Sequence, residues 1–132
     1  MKSANEVLTE VEHLDNLARA SNDVAHGKAA IALLDELSER QKGASRWSTM
    51  AFALRLRLAW IPEDPALDSF FERFVRDVEE GPHADVVQRK VARSKIFGAM
   101  KDAPKRTATM NAWIDTTDWR VTQAELKAVL NP

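Results

Sequence analysis

The chain contains no cysteine and no tyrosine, only four glycines and five prolines, and no long uncharged run. Without cysteine there can be no disulfide framework, thiolate metal site, dithiol couple or cysteine nucleophile, and nothing points to an oxidising compartment. The glycines, Gly27, Gly43, Gly81 and Gly98, are too dispersed to form a loop that cradles a nucleotide phosphate. A Gly-x-Ser-x-Gly elbow is also missing, and no histidine stands in a context that would pair it with a serine. The longest nearly uncharged stretch, residues 47–54, is cut by Arg55 and Arg57, well short of the roughly 20 apolar residues that cross a bilayer. Residues 1–6 meet charge at once and lack the apolar run of a secretion signal, so a cytoplasmic location and no membrane association are expected.

An excess of charge of one sign is missing too. Lys and Arg number 19 against 20 Asp and Glu, a net charge of −1, which excludes a strongly basic polymer-binding chain. What is present is 132 residues, 45% hydrophobic and 30% charged, the size and composition of one globular domain with a real core. Abundant Ala, Leu and Arg beside scarce Gly and absent Tyr favour helix over sheet.

The hydrophobic period resolves the chain into a string of short helices. Ser3 and Glu6 have the spacing of a capping box and open a first helix at about 4–20, with Val7, Val11, Leu14 and Ala18 on one face. Three N-cap types in a row, Ser21, Asn22 and Asp23, then start a second, with Ala30, Ile31, Leu33, Leu34 and Leu37 inward, ending near Gly43. The short connection makes these two an antiparallel hairpin. A third helix at about 44–60 has apolar residues around nearly its whole circumference, including Trp47, Met50, Phe52, Leu54, Leu56, Leu58 and Trp60, and is expected to be the central element. Pro62 ends it, and Asp64-Pro65 opens a fourth at about 65–80, striped with Leu67, Phe70, Phe71, Phe74, Val75 and Val78.

Gly81-Pro82-His83 breaks the pattern before a fifth helix at about 84–101, whose apolar set is Val86, Val87, Val91, Phe97 and Met100. Lys90, Ser94 and Lys101 fall inside the same arc, which a helix serving only as core wall avoids. A sixth helix is expected at about 103–116, presenting Met110, Trp113, Ile114 and Thr117. Thr122 and Glu125 form another capping box, with Val121 and Leu126 placed as a hydrophobic staple, for a seventh at 123–130 that Asn131-Pro132 ends.

Two carboxylate-x-x-histidine spacings, Glu10 to His13 and Asp23 to His26, place an acid and an imidazole on one helix face, as di-iron bundles do. Their distances from the intervening turn differ by about four residues, roughly 6 Å along a helix, so the pairs do not share a level. The residues favour His26 as a core-edge side chain, and His13 and His83 as solvated ones. Glu79-Glu80 and Asp35-Glu36 diverge by about 100° on a helix and read as solvated charges, not acid–base pairs.

The distribution of charge is more informative than its total. Residues 61–80 contain two basic and seven acidic residues (2 − 7 = −5), whereas residues 81–110 contain seven basic and two acidic (7 − 2 = +5). Arg89, Lys90, Arg93, Lys95 and Lys101 make the fifth helix basic, in the outline of a helix, a glycine-containing turn and a basic helix. The acidic helix before it would repel DNA. Of the four tryptophans, Trp60 precedes a helix break and Trp119 lies between helices, positions from which an indole can anchor a partner.

The expected fold is all-α: a single compact domain spanning residues 1–132, with six or seven short antiparallel helices packed around the helix at about 44–60. The expected function is a non-enzymatic protein-protein interaction module, a small adaptor, chaperone or inhibitor, with itself (a homodimer) or another protein as the partner. Its partner-binding residues are Arg89, Lys90, Arg93, Lys95, Lys101, Trp60 and Trp119, with no cofactor. A nucleic-acid-associated regulator using the basic helix 84–101 is the second reading. A metal-binding helical protein around His13 and His26 is the third.

Overall fold

The structure, a computed structural model, describes residues 2–81 and 85–130; at Leu126 and residues 128–130 it describes the backbone alone. Seven helices follow one another: α1 (Ala4–Ser21), α2 (Val24–Glu39), α3 (Gly43–Trp60), α4 (Leu67–Glu80), α5 (Val86–Met100), α6 (Ala108–Thr116) and α7 (Gln123–Leu130). No strand occurs among the described residues, and no helix there is long and apolar enough to cross a membrane. The break at Pro82-His83, the expected start of the fifth helix at Ala84, the chain end Asn131-Pro132 and the Leu126 half of the staple lie outside the described residues.

Local chemistry accounts for most of the boundaries. Ser3 Oγ accepts from the Glu6 N–H while Glu6 accepts from the Ser3 N–H, the reciprocal pairing expected of that spacing. Asn22 takes a left-handed conformation (φ 52°) that closes α1, and Asp23 then accepts from the Ala25 N–H to open α2. Thr122 and Glu125 make the same reciprocal pair before α7. Two starts differ from expectation. Residues 65–66 form a turn closed by Asp64, so α4 begins at Leu67. The sixth helix starts at Ala108 instead of near 103, because Arg106 folds back to donate to the Met100 and Lys101 carbonyls at the end of α5 and Thr107 supplies the cap. The second helix likewise stops at Glu39, before Gly43 turns the chain with φ 61°.

The helix α3 is the centre of the packing, in contact with α2, α4 and α5. Its buried residues, Trp47, Thr49, Met50, Ala53, Leu54, Leu56 and Leu58, cover an arc of about 200° at 100° per residue. Contrary to the expected all-round burial, the remaining arc, with Ser48, Arg55 and Ala59, is exposed, and Phe52 is only half-buried. Leu67, Phe70, Phe71, Phe74 and Val78 of α4 enter the core as one stripe, and Phe71 meets Trp113 of α6 edge-on with ring centroids 5.9 Å apart. Asp77 on the same helix accepts from both the Trp47 indole (2.9 Å) and Arg46 Nε (3.1 Å), satisfying a buried donor of the central helix.

The face that α5 turns to the core corrects the sequence pattern. Val86 is 77% exposed, and Val87, Val91 and Phe97 are only half-buried; the core face consists of Ala92, Ile96, Ala99 and Met100. Alanine adds little to a hydrophobic period, yet its small side chain lets two helices approach closely, so the larger valines misplace the axis of burial. About 120° away, Lys90 and Phe97 face the segment leading into α7, where Phe97 stacks on Trp119 with centroids 3.6 Å apart and planes 6° from parallel.

Candidate functional site

Each residue expected to bind a partner now has a place. Trp60 lies flat on Gly27 of α2 and donates its indole N–H to Asp15 of α1 at 3.2 Å. Trp119 stacks on Phe97, donates to the Ile114 carbonyl at 3.0 Å and is overlaid by the Arg120 guanidinium at 4.6 Å. Arg89 reaches the Gly81 carbonyl at 2.8 Å, while its Nε is buried without a partner. Lys90 is bound by Glu125 (3.1 Å) and Asp118 (3.5 Å), and the hydrogen bond it donates to Glu125 holds its pKa above the usual lysine range. Lys101 is exposed at the end of α5. Lys95 donates to the Ser48 hydroxyl at 2.7 Å.

Arg93 is engaged most fully: its Nε and one terminal nitrogen donate to the two oxygens of Glu79 at 2.6 and 2.7 Å. These hydrogen bonds hold the Glu79 carboxyl below its usual range. A carboxyl whose pKa falls on folding stabilises the fold at neutral pH, and the contribution is lost as pH drops below the unfolded value of about 4.3 toward the lower folded one. The Glu79→Gln variant should therefore be less stable by about 1 kcal/mol or less at pH 7, since the pair is partly solvated. Thermal melts across pH should show the gap between the two proteins closing as pH falls below the usual carboxylate range; a gap that persists in acid would mean that shape, not charge, sets the effect.

The two oppositely charged sequence blocks thus meet one another in part. Glu79 takes Arg93, Glu63 takes Lys105 at 2.7 Å, and Asp68 accepts from Thr107 at 2.6 Å. In the central helix, Arg57 is clamped by Asp35 through two hydrogen bonds (2.9 and 2.6 Å) and lies 3.9 Å over the Phe70 ring. Arg55, two residues earlier, has no carboxylate among the described residues and lies 4.6 Å over Phe52 on the open face of α3.

Arg55 and Lys95 line one groove between α3 and α5, about 330 Å³ in volume, together with Ser48, Ala51, Phe52, Gly98 and Ala99. Its floor is apolar and small, and its two charged groups are both cations. By area Lys95 is an exposed residue, yet the groove walls crowd its ammonium and push its pKa below the usual lysine value. Gly98 is also distinctive: a β-carbon built there meets no atom within 4 Å. A mid-helix glycine costs about 1 kcal/mol relative to alanine, and no internal packing at Gly98 offsets that loss. No protein-family model matches this chain, nor does any curated protein or solved structure.

A larger cleft, about 570 Å³, separates Pro62 and Glu63 from residues 103–107 and Asn111. Its Glu63 and Lys105 neutralise each other, and its Arg106 is tied to the end of α5, so it offers a ligand little free charge. Among the described residues no three His, Asp or Glu side chains converge on a metal position. His26 stands 3.6 Å from Asp23, His13 is exposed on α1, and His83 is outside the described residues.

The charge pattern of the fifth helix singles out Lys95 but not Arg55, Phe52, Ser48 or Gly98 of the groove. Two signals for them were present. Gly98 interrupts a helical pattern without marking an end, and Arg55 is the cation that cuts the nearly uncharged stretch 47–54.

Proposed function

We propose that the protein is a non-enzymatic protein-protein interaction module and that the α3/α5 groove is its contact face. The observation that supports this reading most directly is the union of an apolar floor (Ala51, Phe52, Ala99) with two cations, Arg55 and Lys95, that no carboxylate among the described residues neutralises. Interfaces are built in this way, from a small apolar centre and a charged rim that selects the partner. Lys95 was part of the surface expected from the sequence; Lys90, Arg93, Trp60 and Trp119 serve the fold, and the contact face shifts to the opposite side of α5.

A site-specific photocrosslink tests the reading. A benzophenone amino acid replaces Ala59, which lies one turn beyond Arg55 on the exposed face of α3, or Ala29, which is exposed on α2. In extract from the cells that make the protein, a discrete protein adduct should form from position 59, be absent from position 29, and disappear when Arg55→Glu and Lys95→Glu are added. The same adducts from both positions, or none from position 59, would overturn the proposal.

A further inference from the structure

The groove has a shape and a charge that restrict what can occupy it. The backbone groups of α3 and α5 are paired within their own helices, so an extended segment finds no sheet edge to join. A helix needs no such edge, only a trough of small side chains that lets its axis come near. Ala51, Gly98 and Ala99 provide that trough, and Phe52 provides an aromatic wall.

Charge separates the remaining candidates. In a twofold pairing of this groove with a second copy, the two cations of one copy would be brought against the two of the other, and like charges across an interface are strongly disfavoured. A nucleic acid backbone requires a row of free cations, whereas Lys90 and Arg93 on the same helix are bound by Glu125, Asp118 and Glu79. A carboxylate on a docking helix would give Arg55 its first acidic partner, and would give Lys95 one in place of the Ser48 hydroxyl.

We infer that the α3/α5 groove receives an acidic amphipathic helix of another protein, seated over Gly98 with carboxylates directed at Arg55 and Lys95. This rests on the interaction-module reading above and names the chemistry of the partner. The crowding of the Lys95 ammonium supports it, since an opposing carboxylate would favour the charged form that the groove walls disfavour. The openness above Gly98 supports it as well, because every larger residue at that position would fill the trough from its own side.

The test uses the whole protein and three labelled helical peptides of about 18 residues. All have one Leu and Ala stripe, flanked by Glu in the first, Gln in the second and Lys in the third. Fluorescence anisotropy should show the Glu peptide binding at least about tenfold more tightly than the Gln peptide, with the difference shrinking as salt rises from about 50 to 300 mM. The Arg55→Glu, Lys95→Glu double variant should reverse the order and prefer the Lys peptide. Gly98→Leu should weaken Glu-peptide binding at least about tenfold while its melting temperature stays the same or rises, because the new side chain enters open space.

Equal affinity for all three peptides would overturn the acidic assignment and leave the module reading to the crosslink. Tighter binding of a mixed-sequence nucleic acid duplex than of the Glu peptide would overturn it in favour of a phosphate partner. No binding of any peptide would overturn the helix assignment, whereas the module reading stands or falls separately on the position-59 crosslink.

Discussion

Replacing Gly27 with alanine lowers the stability of this protein by about 1–2 kcal/mol, even though alanine is the better helix former, and the sign reverses once Trp60 is truncated. A β-carbon on Gly27 would lie 2.6–2.9 Å from three atoms of the Trp60 ring system, inside any real contact distance. The indole cannot simply retreat, since its N–H is bonded to Asp15 of α1 and it packs against the core cluster. Overpacking of that kind costs about 1–3 kcal/mol, against a gain of about 1 from removing a mid-helix glycine.

Truncation of the clamp itself, Trp60→Ala, should cost about 3 kcal/mol, at the lower end for a large aromatic because the ring is only half-buried. In that background Gly27→Ala should stabilise by about 0.5–1 kcal/mol. Chemical denaturation of the four proteins of the cycle measures the coupling directly. A Gly27→Ala effect that is the same with and without the indole would show that Trp60 does not rest on α2 in solution.

Truncating Phe71 to alanine removes about 4 kcal/mol and loosens α6 beyond the rest of the molecule. The side chain is 2% exposed, and its ring holds Trp113 edge-on. Met110 is the only residue of α6 that is fully buried, and the principal helix contact of α6 is with α4, so the Phe71–Trp113 pair is a large part of what holds it. Phe74→Ala provides the control: that ring is wholly buried on the same helix but pairs with Phe70 of α4, tilted by 57°, instead of with a ring of α6. Hydrogen exchange should show the amides of residues 108–116 accelerated about tenfold more than those of α3 in Phe71→Ala, and by equal factors in Phe74→Ala. Equal acceleration in both variants would mean that α6 opens only with the whole domain.

The candidate site and the fold place opposite demands on similar residues. Gly27 and Gly98 both interrupt helices, but one is covered by an indole and the other by nothing. Arg55 and Arg57 stand two positions apart on α3, yet Arg57 is held by Asp35 and Phe70 while Arg55 faces the groove. In each pair one member serves the stability of the isolated chain, and the other is better placed to serve a contact outside it.

What the sequence determined by itself was whatever is settled within a turn or two of chain. The helical class, the starts at Ser3, Asp23 and Thr122, and the Leu67–Val78 stripe follow from side-chain hydrogen bonds three residues apart and from a 3.6-residue period. The tertiary structure decided which face of α5 is core, because small alanines chosen for close approach carry almost no hydrophobic signal. It also decided the fate of each cation. Arg93 finds Glu79 across 14 positions, Arg57 finds Asp35 across 22 and Lys105 finds Glu63 across 42, whereas Arg55 and Lys95 find no carboxylate among the described residues. A charge is local in sequence but its partner is not, so only packing can separate a cation that holds the fold together from one left facing a groove.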